Sequence, residues 1–317
     1  MSMQHNTGRQ DLFRYVVEEF AEDYREGEMG RREFLRRLGL LAGGILGASA
    51  LLESLGLGTA SAAEWQQAFA SNPELEASKR AQQVDPSDPS IKAEMISYSA
   101  RGFEQFAYVA KPVNAANAPG VIVIHENKGL QPHIQDVARR LAKAGYVALA
   151  PDLVSKTGST AKYTDIAQIS SVLAQTPGDE HEANLIEALK VLKAQAGVDP
   201  ARLGAVGFCF GGGLTWRLST AAPELKAAVP FYGPAPDAAK VTNIKAAVLG
   251  IYGGLDARIN GGIPALETAL KAAKVKYQIK IYDGANHAFH NDTGQNYKKD
   301  AAEDAWKMTL EWFKVNL

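Results

Sequence analysis

Gly207-Phe208-Cys209-Phe210-Gly211 stands between an apolar run at 203–207 that reads as a strand and a pattern over 212–219 that reads as a helix. A glycine on either side of a nucleophilic residue, at a strand-to-helix turn, is the G-x-S-x-G elbow with cysteine in place of serine. Physics asks for both glycines. The nucleophile of an elbow sits on a tight, strained turn, and a side chain at either flank collides with neighbouring backbone. The helix that follows directs its N-terminal partial positive charge at the sulfur, which favours the thiolate, the species that attacks. Taken alone, the five residues also fit a small buried cysteine or a phosphate-binding turn.

Upstream of the elbow, residues 95–98 and 105–110 read as strands joined by a hairpin at Ala100-Arg101-Gly102. Gly120-Val121-Ile122-Val123-Ile124 is a continuous β-branched run, as a strand buried on both faces should be. A helix over 134–143 and a buried strand over 146–150 follow. Another helix is predicted over 180–195, with Leu185, Leu189 and Leu192 along one face and Asp179 as its cap. Downstream, strands at 227–231, 247–252 and 277–282 alternate with helices at 263–274 and 301–315. Such alternation predicts an α/β domain with a mostly parallel central sheet and helices on both faces.

Asp256 lies 47 residues after Cys209, and His287 lies 31 residues after Asp256, each just past a predicted strand. Nucleophile, acid, histidine is the chain order of the α/β-hydrolase fold, and strand C-terminal ends are where parallel sheets build sites. The candidate catalytic set is therefore Cys209, Asp256 and His287. His287 takes the thiol proton, and Asp256 holds its tautomer. His290, three residues on, competes for the role of base. Taken singly, Asp256 also reads as a turn residue and His287 as a loop histidine. His125-Glu126-Asn127 follows the 121–124 strand, where this fold places its second oxyanion donor. The backbone N–H groups of Phe210 and Asn127 are the natural pair. Glu126 is unusual there, because a carboxylate beside a thiolate repels it.

With these residues in view, the chain resembles the dienelactone hydrolases. The blocks that carry the resemblance are His125-Glu126-Asn127-Lys128-Gly129-Leu130, Ala150-Pro151-Asp152-Leu153, Gly207-Phe208-Cys209-Phe210-Gly211-Gly212 and Gly284-Ala285-Asn286-His287-Ala288-Phe289. It implies an α/β-hydrolase fold over 91–317 and a triad on Cys209, Asp256 and His287. It also implies that Glu126 contacts the resting thiol and helps to generate the thiolate when substrate displaces it. Lactone opening would proceed through an acyl-enzyme, with no cofactor and no metal. Family members that act on carboxylate-bearing lactones place an arginine four residues after the histidine, and here that position is Asn291. Arg258 is an alternative cation for the pocket, or one half of an ordinary ion pair.

The first 62 residues read as an address. Arg31-Arg32 precedes an apolar, glycine-interrupted stretch at 38–52, and Ala60-Ser61-Ala62 fits a cleavage site. The pattern resembles a twin-arginine export signal, which predicts the twin-arginine machinery as a partner and a periplasmic or secreted location. The alternative is a retained N-terminal helix on a cytoplasmic protein. At roughly 15 residues the stretch is shorter than the ~20 of a spanning helix, so no membrane span is expected. Residues 63–90 read as a polar linker ending in Pro86-Ser87-Asp88-Pro89. A net charge of −1 argues against nucleic acid as a partner, and one cysteine leaves no intramolecular disulfide. The expected partner is a small ester or lactone. A thioesterase or acyltransferase on the same triad, and a thiol redox or binding protein, are the alternatives.

Overall fold

The computed structural model describes residues 4–70 and 82–317. Four helices open the chain: α1 (Gln4–Arg25), α2 (Arg31–Leu41), α3 (Ile45–Ser54) and α4 (Ala62–Ala70). Then come β1 (Ile91–Ala100), β2 (Phe103–Pro112), β3 (Ala118–Ile124), α5 (Pro132–Lys143) and β4 (Val147–Pro151). Helices α6 (Ile166–Gln175) and α7 (Gly178–Lys193) precede β5 (Val198–Phe208), α8 (Phe210–Ala221) and β6 (Leu225–Phe231). The chain ends with β7 (Ala247–Gly253), α9 (Ala257–Asn260), α10 (Ile263–Ala272), β8 (Tyr277–Tyr282) and α11 (Lys299–Asn316). It divides into two compact units.

The larger unit comprises the described residues of 78–126, 130–152 and 182–317. Its eight strands form one sheet in the order β1-β2-β4-β3-β5-β6-β7-β8. Only the β1–β2 and β2–β4 pairings are antiparallel, and β4 through β8 run parallel. Composition follows position. All seven residues of β7, which has a parallel partner on each side, are buried, while the edge strand β1, with β2 as its one partner, alternates and leaves Met95 exposed. Helices cover both faces, as β5 demonstrates. A Cβ on Gly204 would meet Phe313 and Leu317 at the C-terminus, whereas one on Gly207 would meet Gly211 and Thr215 of α8. Three residues apart in a strand means opposite faces. The predicted α/β architecture is thus the observed one.

The C-terminal ends of the parallel strands are brought level by their register. Ile124 of β3 pairs with Gly207 of β5, Phe208 with Phe231 of β6, and Gly253 of β7 with Tyr282 of β8. Residues just beyond these pairs share one edge of the sheet.

The smaller unit comprises described residues of 1–77, 127–129 and 153–181. Helix α2 buries Phe34, Leu35, Leu38 and Leu41 and packs with α1, α3, α4 and α6. Arg36, itself buried, pairs with Glu33 and with Asp165, whose other oxygen caps α6 by accepting from the Ala167 N–H at 2.8 Å. The predicted apolar stretch at 38–52 is broken into two helices bent by 115°, with Gly43 at φ +73° and Gly44 at φ +140° making the turn. No single helix among the described residues is long and apolar enough to cross a membrane.

Two local expectations need correction. The linker predicted from 63 is helical to residue 70, because Trp65 and Ala68 supply a buried face; residues 71–81 of that span lie outside those described. Asp179 does not cap α7 from outside. It lies inside the first turn, where the His181 N–H donates to the Pro177 carbonyl at 3.1 Å. Helix α6 was not predicted, although Asp165 as cap and Ile166, Ile169 and Leu173 at helical spacing announce it.

Candidate active site

Cys209 forms the whole turn between β5 and α8. Its backbone stands at φ 56°, ψ −119°, a region that L-residues rarely enter and that costs on the order of 1–3 kcal/mol. Two hydrogen bonds hold it there: its N–H donates to the Phe231 carbonyl, and its carbonyl accepts from the Gly213 N–H, each at 3.1 Å. The flanking glycines are obligatory for packing. A Cβ on Gly207 would lie 2.3 Å from the Gly211 carbonyl oxygen, and one on Gly211 would lie 2.3 Å from that of Ile124 and 2.5 Å from that of His125. The same contacts bring the backbone leading into Glu126 against the elbow.

Asp256 sits just past β7 and caps α9, with Oδ1 accepting from the Ile259 N–H at 3.1 Å. Its other oxygen, Oδ2, lies 2.6 Å from His287 Nδ1. A His287 ring nitrogen lies within 4.8 Å of Cys209 Sγ. Burial opposes charge on both partners. Even so, the bond to His287 holds the Asp256 carboxyl below its ordinary value, and Asp256 together with the Cys209 sulfur raises the His287 imidazole well above its own. Both shifts favour the charged forms of Asp256 and His287.

His290 is not an equivalent base. It stacks on Phe208 at 5.1 Å and leans on Phe231 at the same distance. Burial, with the neighbouring His133 and Arg140, pushes its pKa well below the imidazole norm. Arg258, on α9, contributes a smaller lowering to the Asp256 carboxyl.

Glu126 is buried just past β3, and its Oε2 accepts from Asn291 Nδ2 at 2.9 Å. Asn127, the next residue, belongs to the smaller unit. Its side-chain amide donates to Glu19 of α1 at 2.8 Å, and its carbonyl accepts from the Ser170 hydroxyl of α6 at 2.8 Å. Phe210 is the first residue of α8 and is buried.

A profile of the dienelactone hydrolase family matches residues 106–317, more than half of the chain. The chain belongs to the dienelactone hydrolase family. A carboxymethylenebutenolidase homologue of Escherichia coli (strain K12) is 36% identical over 244 residues, covering 73% of this chain and 90% of that protein. Another from Methylorubrum extorquens is 37% identical over 220 residues, covering 66% and 76%. The crystal structure of a dienelactone hydrolase homologue from Klebsiella pneumoniae superposes with a TM-score of 0.66 at 36% identity, covering 71% of this chain and 98% of that one. A dienelactone hydrolase-like promiscuous phosphotriesterase from metagenomic libraries gives 0.65 at 27% identity, covering 72% and 99%. As a dienelactone hydrolase family member the protein is a hydrolase of the lactone or ester type with the α/β-hydrolase fold.

Two groups beside the trio escaped the sequence. The Asn291 bond to Glu126 spans 165 residues, and no periodicity reports such a pairing. Tyr232, held at φ +36° just past β6 with its ring 5.0 Å from that of His287, carried only the weak signal of an aromatic at a strand end.

Proposed function

We propose that the protein cleaves a lactone or small carboxylic ester through a thioester acyl-enzyme on Cys209. The sulfur attacks the carbonyl carbon, and the developing oxyanion is held by the backbone N–H groups of Phe210 and Asn127. His287, oriented by Asp256, takes the thiol proton as the sulfur attacks and passes it to the departing alkoxide, which for a lactone stays tethered to the acyl group. It then takes a proton from water as that water attacks the thioester and returns it to the departing sulfur, so the carboxylate product leaves with the thiol restored. Glu126 governs the resting thiol. The observation that carries the reading is His287 bridging Asp256 at 2.6 Å and approaching Cys209 within 4.8 Å, all at one edge of a parallel sheet.

Active-site titration with enol lactones and p-nitrophenyl esters tests it, comparing wild type with Cys209→Ala. A burst followed by turnover, both lost in the variant, supports the acyl-enzyme. A folded wild-type protein that turns over no member of the panel rejects it.

We further propose that Arg31-Arg32 directs twin-arginine export to the periplasm and that residues 1–62 stay with the enzyme afterwards. Retention is supported by the burial of Arg36 against Asp165 and by the ion pair of Arg31 with Glu64 at 2.6 Å. Intact-mass measurement on protein from the periplasmic fraction tests this; a mass corresponding to a start at Ala63 refutes retention.

A further inference from the structure

The loop that carries His287 runs on through Asn291 and Asp292 to Thr293, residues that the acyl-enzyme steps do not use. Asn291 Nδ2 donates to Glu126 Oε2 at 2.9 Å, and both side chains are buried. The amide has no freedom to turn over. Its oxygen accepts from the Thr293 N–H at 3.0 Å and from the Thr293 hydroxyl at 2.6 Å, and an amide nitrogen could not accept the N–H. The NH2 group is therefore the one presented to Glu126.

The backbone beneath it is pinned as well. The Asn291 N–H donates to the Ala288 carbonyl, and the Asn291 carbonyl accepts from the Gly294 N–H, each at 3.0 Å. Next door, the Asp292 carboxylate accepts from Arg140 at 2.7 Å and from Gln83 at 2.8 Å and meets His133 at 3.0 Å. A rigid segment thus delivers one donor to one buried carboxylate oxygen.

We infer that Asn291 is a positioning residue that fixes the orientation of the Glu126 carboxylate and through it sets how readily the Cys209 thiol ionises. The inference rests on the reading of Glu126 as the group that governs that thiol. With the donor gone, the buried Oε2 loses its partner, and on that reading the carboxylate turns toward the Cys209 thiol. Carboxylate bonding to the thiol favours the protonated sulfur.

Because Cys209 is the protein's one cysteine, iodoacetamide reads it without ambiguity. Alkylation rate against pH is measured on the full chain for wild type, Asn291→Ala, Glu126→Gln and the double variant. Asn291→Ala is expected to slow alkylation at pH 7 by about tenfold, the scale of one hydrogen bond to a charged group, and to move the profile to higher pH. Glu126→Gln speeds it, and in that background Asn291→Ala changes the rate by less than about twofold. Thr293→Val, which removes one of the two amide anchors, shifts the profile the same way as Asn291→Ala but less. An equal factor for Asn291→Ala in both backgrounds overturns the inference, since the residue then acts independently of Glu126. Should Asn291→Ala fail to fold, the near-isosteric Asn291→Asp sets a second carboxylate against Glu126, and an unmoved profile overturns it equally. An unchanged Asn291→Ala beside an altered Glu126→Gln sinks this inference alone. An unchanged Glu126→Gln removes the role of Glu126 and this inference with it.

Discussion

Asp256→Asn changes one atom type and inverts the proton map of the site. Oδ1 of Asp256 accepts from the Ile259 N–H at 3.1 Å, so the asparagine oxygen must stay on that side. Its NH2 then faces His287 Nδ1, where Oδ2 now lies at 2.6 Å. Nδ1 has to become the acceptor, the ring proton moves to Nε2, and Nε2 can no longer take the thiol proton. Turning the amide over leaves the buried Ile259 N–H without its acceptor, at roughly 1–3 kcal/mol. Loss of a short, charge-assisted bond to the imidazolium adds roughly 1.5–3 kcal/mol. The sum of roughly 2.5–6 kcal/mol corresponds to about two to four orders of magnitude in kcat/KM. The assay is steady-state hydrolysis of p-nitrophenyl acetate at pH 7, with thermal melting to confirm folding. A folded variant within fivefold of wild type would refute the argument.

Cys209→Ser should fold and lose most of its turnover, since the surroundings suit a thiolate rather than a hydroxyl; near-wild-type hydrolysis of the same esters contradicts this. Gly211→Ala places a Cβ 2.3 Å from a backbone oxygen, and urea denaturation should register a loss of about 3 kcal/mol or more; a loss under 1 kcal/mol means that α8 can move aside. His290 has a folded pKa well below 6.5, so the unfolded chain binds its proton first as pH falls. Stability should therefore drop below about pH 6.5, and His290→Phe should flatten that limb between pH 6.5 and 5; an unchanged slope in urea midpoints counts against it. Activity should survive EDTA; loss with EDTA that a divalent ion restores contradicts the metal-free reading.

The parts of the fold that could be read from the chain are those written in local pattern. The β-branched run of β3, the leucine face of α7 and the glycines of the elbow each report their own surroundings within a few residues. Cys209, Asp256 and His287 were legible because chain order and strand ends place them without any knowledge of contacts. What escaped depends on pairings far apart in sequence. Nothing around Asn291 announces Glu126, and nothing around Arg36 announces Asp165. The N-terminal stretch carries two readings for a related reason. A basic turn followed by small and apolar residues suits an export signal and equally suits a helix whose partner lies elsewhere in the chain.

That partner is distant in time as well as in sequence. Asp165 follows Arg36 by 129 residues, and at a synthesis rate of about 5–20 residues per second it leaves the ribosome roughly 6–26 s later. During that interval Arg36 has only the local Glu33 to pair with, and α2 has no α6 to lie against. The proposed export signal is thus open in the nascent chain and engaged in the finished one. The order of synthesis thus acts as a clock: the helical unit closes only once residue 165 has emerged, and slowing translation between residues 36 and 165 lengthens the interval before it does.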